Sequence, residues 1–291
     1  MPPRTTWTPK PGEDTLLHNY WLHRGSKDTI YTEVGIAGRR KASHWRDGSS
    51  QRRLDGVRLI TPTTAGIHPK KGTTSLFSRF DAPVELIEVK QGLSEAVVGQ
   101  CLVGRLLFQK QYPGATVERT VALCKVADPE MQWVCEQPEV NIAVERIPNE
   151  NRPGNAMTSR TADALTDARL AAIDPWRREH PGLYFTRVPV SGCFVSLLRL
   201  AEGPDLLARF DTRARFEAAV AGQPVDIIEV PPRLSRGVVG RVVSHALLLK
   251  KLYGARVGRR RILVGKADSA ILWACTELGI EVEPLPELAR G

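Results

Sequence analysis

Long apolar runs are missing from this 291-residue chain. Nothing approaches the roughly eighteen consecutive apolar residues of a membrane span, so no membrane partner is expected. The opening Met1-Pro2-Pro3-Arg4-Thr5-Thr6-Trp7 lacks the apolar core of a secretory signal. Cysteine is sparse as well: five residues, an odd number, with no C-x-x-C spacing. They read as small core side chains in a reducing cytosol, not as disulfides or zinc ligands. The six histidines show no metal spacing, since His18 and His23 are five apart and not at i, i+4. A Gly-rich phosphate loop and a G-x-S-x-G elbow are both missing, which leaves ATP use and a serine nucleophile without support.

The chain does have enough apolar residues to fold twice. At 42% hydrophobic and 25% charged, it suits two domains of ordinary size, each with its own core. Net charge is +9 and the pI is near 9.5. Lysine and arginine gain counterion-release entropy on phosphates, so the expected partner is a nucleic acid.

Taken in order, Asp14 is placed to cap a helix through Leu16, Leu17, Tyr20 and Trp21. Ile30 to Gly38 reads as a strand. Arg39 to Arg53 carries six basic residues against the single acid Asp47 and reads as a long hairpin loop. Leu54 to Ile60 resumes alternation, and a short helical piece is expected around Leu76 to Phe80. A strand then ends near Lys90, and Val97 to Gln111 has helical spacing with a wide apolar face. Val117 to Val126 reads as a strand, Pro129 to Cys135 as a helix, and Val140 to Glu145 as a last strand. Asn149 to Asn155, with Pro153 and Gly154, is the clearest linker. The division expected is a first domain over 1–148, a linker over 149–160 and a second domain over 161–291.

After the linker the pattern restarts. Of the fourteen positions from Ile87 to Gln100, eight are identical to those 141 residues later. The same offset pairs Asp55 with Ser196 and Arg58 with Arg199, and Trp133-Val134-Cys135 returns as Trp273-Ala274-Cys275, one residue out of step. A period of this size indicates two copies of one α/β unit, not a solenoid.

The chemistry is concentrated in the first copy. Val84-Glu85-Leu86-Ile87-Glu88-Val89-Lys90 is an apolar strand that delivers a Glu-x-Lys pair at its end, with Gln100 on the helix that follows. Upstream lie Glu33 and, within Arg53-Leu54-Asp55-Gly56-Val57, Asp55. The order Glu33, Asp55, Glu88-Val89-Lys90, Gln100 resembles the PD-(D/E)XK nuclease superfamily, directly over about residues 14–145 and through the repeat in the second copy. That resemblance implies two tandem restriction-endonuclease-like domains, each a central mixed β-sheet flanked by helices. It implies that Asp55, Glu88 and the Val89 carbonyl hold Mg²⁺ (or Mn²⁺), a hard cation that takes oxygen ligands and keeps several waters. Strand alternation puts residues 88 and 90 on one face, so Lys90 would lie beside the attacking water or the charged phosphate. By the same resemblance, Glu33 would orient water or a second metal, and Gln100 would orient the lysine or the metal's water.

In the second copy Glu33 becomes Arg187, Asp55 becomes Ser196, Lys90 becomes Pro231 and Gln100 becomes Arg241, while Glu229 stands where Glu88 does. Pro231 offers neither an amine nor a backbone donor. The basic loop also belongs to the first copy alone. Arg39, Arg40, Lys41, Trp45, Arg46, Arg52 and Arg53 are the expected phosphate- and base-contacting residues. The reading is a metal-dependent nuclease acting on DNA, followed by an inactive copy that aids DNA binding or self-association. The alternatives are a nucleic-acid-binding module without catalysis and a protein-interaction scaffold.

Overall fold

The stretch Pro83–Gly92 leaves the chain little choice of position. Its residues Val84 to Val89 are all buried, and six successive buried residues in a strand require cover on both faces. In the computed structural model, which describes residues 8–24, 28–37, 52–60, 66–68, 83–147, 166–190 and 192–290, that strand lies inside a six-stranded mixed sheet. The chain divides into two compact units, Met1–Met157 and Thr158–Gly291.

The first unit runs α1 (Glu13–His23), β1 (Thr29–Ala37), β2 (Arg52–Leu59), β3 (Gly66–His68), β4 (Pro83–Gly92), α2 (Glu95–Gln111), β5 (Thr116–Val126), α3 (Pro129–Glu136) and β6 (Ala143–Arg146). The sheet order is β3-β1-β2-β4-β5-β6. β1, β2 and β4 form an antiparallel meander, β5 and β6 run parallel to β4, and β3 runs parallel to β1. On one face, Leu16, Leu17, Tyr20 and Trp21 of α1 pack against Ile30, Ile87, Val89, Val121 and Leu123. On the other lies α2, whose Gly104 sits so close to the sheet that an added Cβ would stand 2.9 Å from Leu54 Cδ2.

The second unit repeats this with α4 (Asp167–Glu179), β7 (Leu183–Thr186), β8 (Val188–Val190), β9 (Cys193–Val195), β10 (Leu197–Leu200), β11 (Leu206–Arg209), α5 (Arg213–Val220), β12 (Pro224–Glu229), α6 (Arg236–Tyr253), β13 (Arg256–Val264), α7 (Ser269–Glu277), β14 (Glu281–Pro284) and a closing 3-10 turn (Pro286–Arg290). Its main sheet, β11-β7-β10-β12-β13-β14, matches the first in order and in every strand direction. Side chains repeat too. The buried pair Arg58–Glu85 (2.9 Å) recurs as Arg199–Asp226 (3.1 Å), and the Tyr112 hydroxyl on the Gly35 carbonyl recurs as Tyr253 on Pro189.

The backbone repeats its irregularities as well. Glu33 (φ 54°) and Arg187 (φ 59°) both hold the left-handed region that residues with a Cβ seldom adopt. Register places Glu33 between the Thr32–Gly56 and Val34–Leu54 pairs, hence opposite Asp55. Arg187 falls between the Phe185–Leu198 and Val188–Val195 pairs, opposite Ser196.

Three local expectations are corrected. Asp14 does not cap α1; Gly12 is the N-cap residue, and the Asp14 carboxylate accepts from the Lys10 N–H instead. Arg52 and Arg53 belong to β2, not to the loop before it, because they pair with Ala37 and Gly35. The last strand begins at Ala143 rather than Val140, since Val140 and Asn141 bond back to Gln137 to close the turn after α3, with Asn141 left-handed at φ 48°. The helical piece expected around Leu76 to Phe80 lies outside the described residues.

Glu85 has no exposed side-chain surface, and it takes hydrogen bonds from Arg58 and Tyr20. Burial alone would raise its pKa, but the bonds from Arg58 and Tyr20, with the Arg119 charge, bring it below the usual range. Removing one member of such a pair strands a buried charge. Chemical denaturation of the intact chain should therefore show Arg58→Met losing about 3–5 kcal/mol. The double variant Arg58→Met/Glu85→Leu should lose less than that single change.

Candidate active site

The end of β4 and the middle of β2 meet where the antiparallel ladder stops. The last pair of the ladder is Gly56 with Ile87, so Asp55 and Glu88 come next on adjacent strands. Asp55 does not continue the ladder. Its carboxylate accepts the Val89 N–H at 2.7 Å, which turns the side chain toward the end of β4. Lys90 comes from beyond Val89, and its ammonium lies 3.6 Å from Asp55 Oδ2. The same ammonium donates to the Val89 carbonyl and to Glu13 Oε1, each at 2.8 Å.

Four of the expected residues are thus brought together: Asp55, Glu88, Val89 and Lys90. Glu88 is almost fully buried, with Gly104 of α2 close enough that a Cβ there would stand 3.4 Å from Glu88 Oε1. Gln100 occupies the first turns of α2, and its Oε1 is buried with no hydrogen-bond partner among the described residues. Glu33 is opposite Asp55 in the ladder, but its carboxylate is held by Arg53 at 3.0 Å. Arg52 and Arg53 stand at the start of β2, just before Asp55. Arg39, Arg40, Lys41, Trp45 and Arg46 lie outside the described residues.

The electrostatics follow from that crowding. Burial pushes the Asp55 carboxyl up; the Lys90 charge, the Val89 N–H and a hydrogen bond with Glu88 pull against it without cancelling it, and Glu13 adds to the rise. For Lys90 burial acts downward, but Asp55, Glu13 and Glu88 outweigh it, so the pKa is raised. Lys90 is therefore an ammonium and not a general base. A carboxyl made hard to ionise by its surroundings, beside a second carboxyl, is a place where an added cation gains energy.

The donor set suits one kind of cation. Among the described residues there is no group of three or more His, Cys, Asp or Glu side chains able to hold a metal. Two carboxylates and a carbonyl are a poor zinc site but match a hard cation that keeps most of its waters. The unpartnered Gln100 Oε1 would add an acceptor for one of those waters.

No protein-family model, no curated protein and no solved structure matches this chain. The internal copy is the available comparison, and it reaches the opposite outcome at the same place. Glu229, the counterpart of Glu88, is buried and accepts from the Ser196 hydroxyl at 2.6 Å, from Arg241 at 3.4 Å, and contacts His245 Nδ1 at 3.1 Å. His245 stands 141 residues after Gly104, so an imidazole fills the spot where the first unit has no side chain. Arg241 likewise stands where Gln100 does. The second site is closed by its own hydroxyl, guanidinium and imidazole.

Two of these residues were missed in the sequence. Glu13 is 77 positions from Lys90, and nothing local marks it. His245 was legible, because the 141-residue offset sets it against Gly104. The basic run Arg259-Arg260-Arg261 is largely structural. Arg261 pairs with Glu281 and lies over Trp176, and Arg260 caps the Leu278 carbonyl.

Burial would raise the Glu229 pKa, but His245, by hydrogen bond and charge, with Arg241 and Ser196, holds it below the ordinary glutamate value. A depressed carboxylate adds stability that is present above its unfolded pKa and lost as pH falls through the folded one. Acid titration of the intact chain should show Glu229→Gln less stable than the parent at neutral pH. The difference should shrink as pH drops below the ordinary glutamate range.

Proposed function

We propose that the first unit is a metal-dependent nuclease that hydrolyses phosphodiester bonds in DNA, and that the second is a catalytically silent copy of it. The observation that carries this reading is the convergence of Asp55 and Lys90 on the backbone of Val89, with Glu88 hydrogen-bonded to Asp55, set against the closure of the matching spot by Ser196, Arg241 and His245. Both units share strand order and the left-handed residue before the site, so those features belong to the fold. Asp55 and Lys90 are confined to one unit, with Ser196 and Pro231 in their places, as a chemical role would have it.

Asp55 and Glu88, with the Val89 carbonyl, would hold Mg²⁺ or Mn²⁺, which when bound supplies Lewis-acid stabilisation of phosphate charge and a more acidic water. The chain's own contribution is positional and electrostatic. The Val89 N–H fixes the Asp55 carboxylate, and burial holds Glu88 in one orientation against α2. The raised pKa of Lys90 keeps a full positive charge at the site, suited to the phosphate charge that grows during attack. Glu13 steers that ammonium from α1. The net charge of +9 favours the approach of a polyanion, and the Arg39–Arg53 segment would grip its backbone.

One contact favours a second reading, nucleic-acid binding without cleavage. The Lys90 ammonium already sits on the Val89 carbonyl, the oxygen a metal would share.

Plasmid and single-stranded DNA incubated with Mg²⁺, Mn²⁺ or EDTA separate the two. The nuclease reading expects metal-dependent cutting that falls about a hundredfold or more in Asp55→Asn and Lys90→Met. It also expects cutting to be unchanged in Arg241→Gln. Salt-sensitive DNA binding with no cutting under any metal would favour the second reading.

A further inference from the structure

On the far edge of the first sheet, β6 begins to pair with β5 only at Val121, so Val117 to Thr120 are unpaired by β6 and line a cavity of about 200 Å³. α2 contributes Arg105 to its wall, and the turn after α3 contributes Asn141. The cavity lies at the start of β5, the opposite end of these parallel strands from Lys90.

Two groups in its lining are electrostatically incomplete. Arg105 is half-buried, and its one hydrogen bond is a long 3.4 Å contact to the Asn141 carbonyl. Among the described residues no carboxylate pairs with it, and burial lowers its pKa. Its neighbour Arg119 is different, being held by Glu85 and Glu145. Thr120 is buried, and its hydroxyl has no hydrogen-bond partner among the described residues. A half-buried guanidinium that no described carboxylate pairs and a buried hydroxyl without a described partner are each short of contacts, and one anion between them supplies both.

We infer that this cavity binds a small monocarboxylate, with the Arg105 guanidinium taking the carboxylate and the Thr120 hydroxyl donating to it. Arginine's planar fork matches a carboxylate bidentately. Glu118 and Glu136 also line the cavity, and their negative charge selects against a doubly charged ion such as phosphate. The size excludes nucleotides and peptides. The site belongs to the first unit alone, because the second has Ala246 in place of Arg105 and Arg260, bonded to the Leu278 carbonyl, in place of Thr120. It stands whether or not the chain cuts DNA.

The test uses the whole chain with ¹³C-acetate as probe, reading acetate line width and the unfolding temperature against sodium chloride at equal ionic strength. The expected result is saturable broadening with a matching rise in unfolding temperature. Half-saturation should move to about tenfold higher acetate or beyond in Arg105→Gln, with a smaller change in Thr120→Val. Arg105→Gln alone, without acetate, should unfold no earlier than the parent, because it removes an uncompensated charge. Should that variant not fold, Arg105 is structural and the inference fails. Arg105→Lys, which keeps the charge but not the fork, should bind acetate more weakly than the parent. No saturable effect on the parent, an undiminished effect in Arg105→Gln or Arg105→Lys, or tighter binding of inorganic phosphate than acetate would each overturn the assignment.

Discussion

A carboxylate buried at the end of a central strand has to be answered by hydrogen bonds or by positive charge, and this chain meets that demand twice. In the second unit Glu229 receives a hydroxyl, a guanidinium and an imidazole from its own surroundings. In the first, Glu88 faces another acid, Asp55, and the neighbouring cation, Lys90, sits one residue past the strand's run of six buried positions. The fold tolerates both solutions because the scaffold around them is stabilised independently. Arg58–Glu85 and Arg199–Asp226 pin the same two strands in each unit, and α1 or α4 closes the same face. What differs is the charge balance at one spot, and on that difference the proposed division of labour rests.

The left-handed residue before each site shows how strain should be weighed. A strained non-glycine backbone costs on the order of 1–3 kcal/mol and often marks function. Here Glu33 and Arg187 share it, although the second unit has Ser196 and Pro231 where the first has Asp55 and Lys90. The strain is therefore a property of the strand crossing, where it breaks the ladder opposite Asp55 or Ser196 and frees that side chain to turn toward the neighbouring strand. In the first unit the freed side chain is an acid that reaches Val89. In the second it is a serine that reaches Glu229.

Most of the architecture was readable in the residues. The apolar run from Val84 to Val89 announced a strand covered on both faces, and the 141-residue offset announced a second unit whose sheet proves to have the same order. Helix and strand edges were less legible where a long-range contact decides them. Arg52 and Arg53 look like loop because they are basic, yet pairing with β1 makes them strand. At the site, strand alternation paired Glu88 with Lys90 and only the family resemblance joined Asp55 to them, while Glu13 was not visible, since only packing of α1 on β4 brings it to Lys90. The closure of the second site was half visible: the losses at Ser196, Pro231 and Arg241 were plain, but the gain of His245 required comparing a histidine with a glycine.

The most direct test is the number and place of divalent sites, independent of any nucleic-acid substrate. Mn²⁺ binding to the full chain can be followed by electron paramagnetic resonance, with Asp55→Asn and Ser196→Ala compared under the same conditions. A site in the first unit alone predicts saturable Mn²⁺ binding that Asp55→Asn abolishes and Ser196→Ala leaves intact. Binding that survives Asp55→Asn in a folded chain, or no saturable binding at all, would contradict the assignment of Asp55 and Glu88 as metal-holding residues.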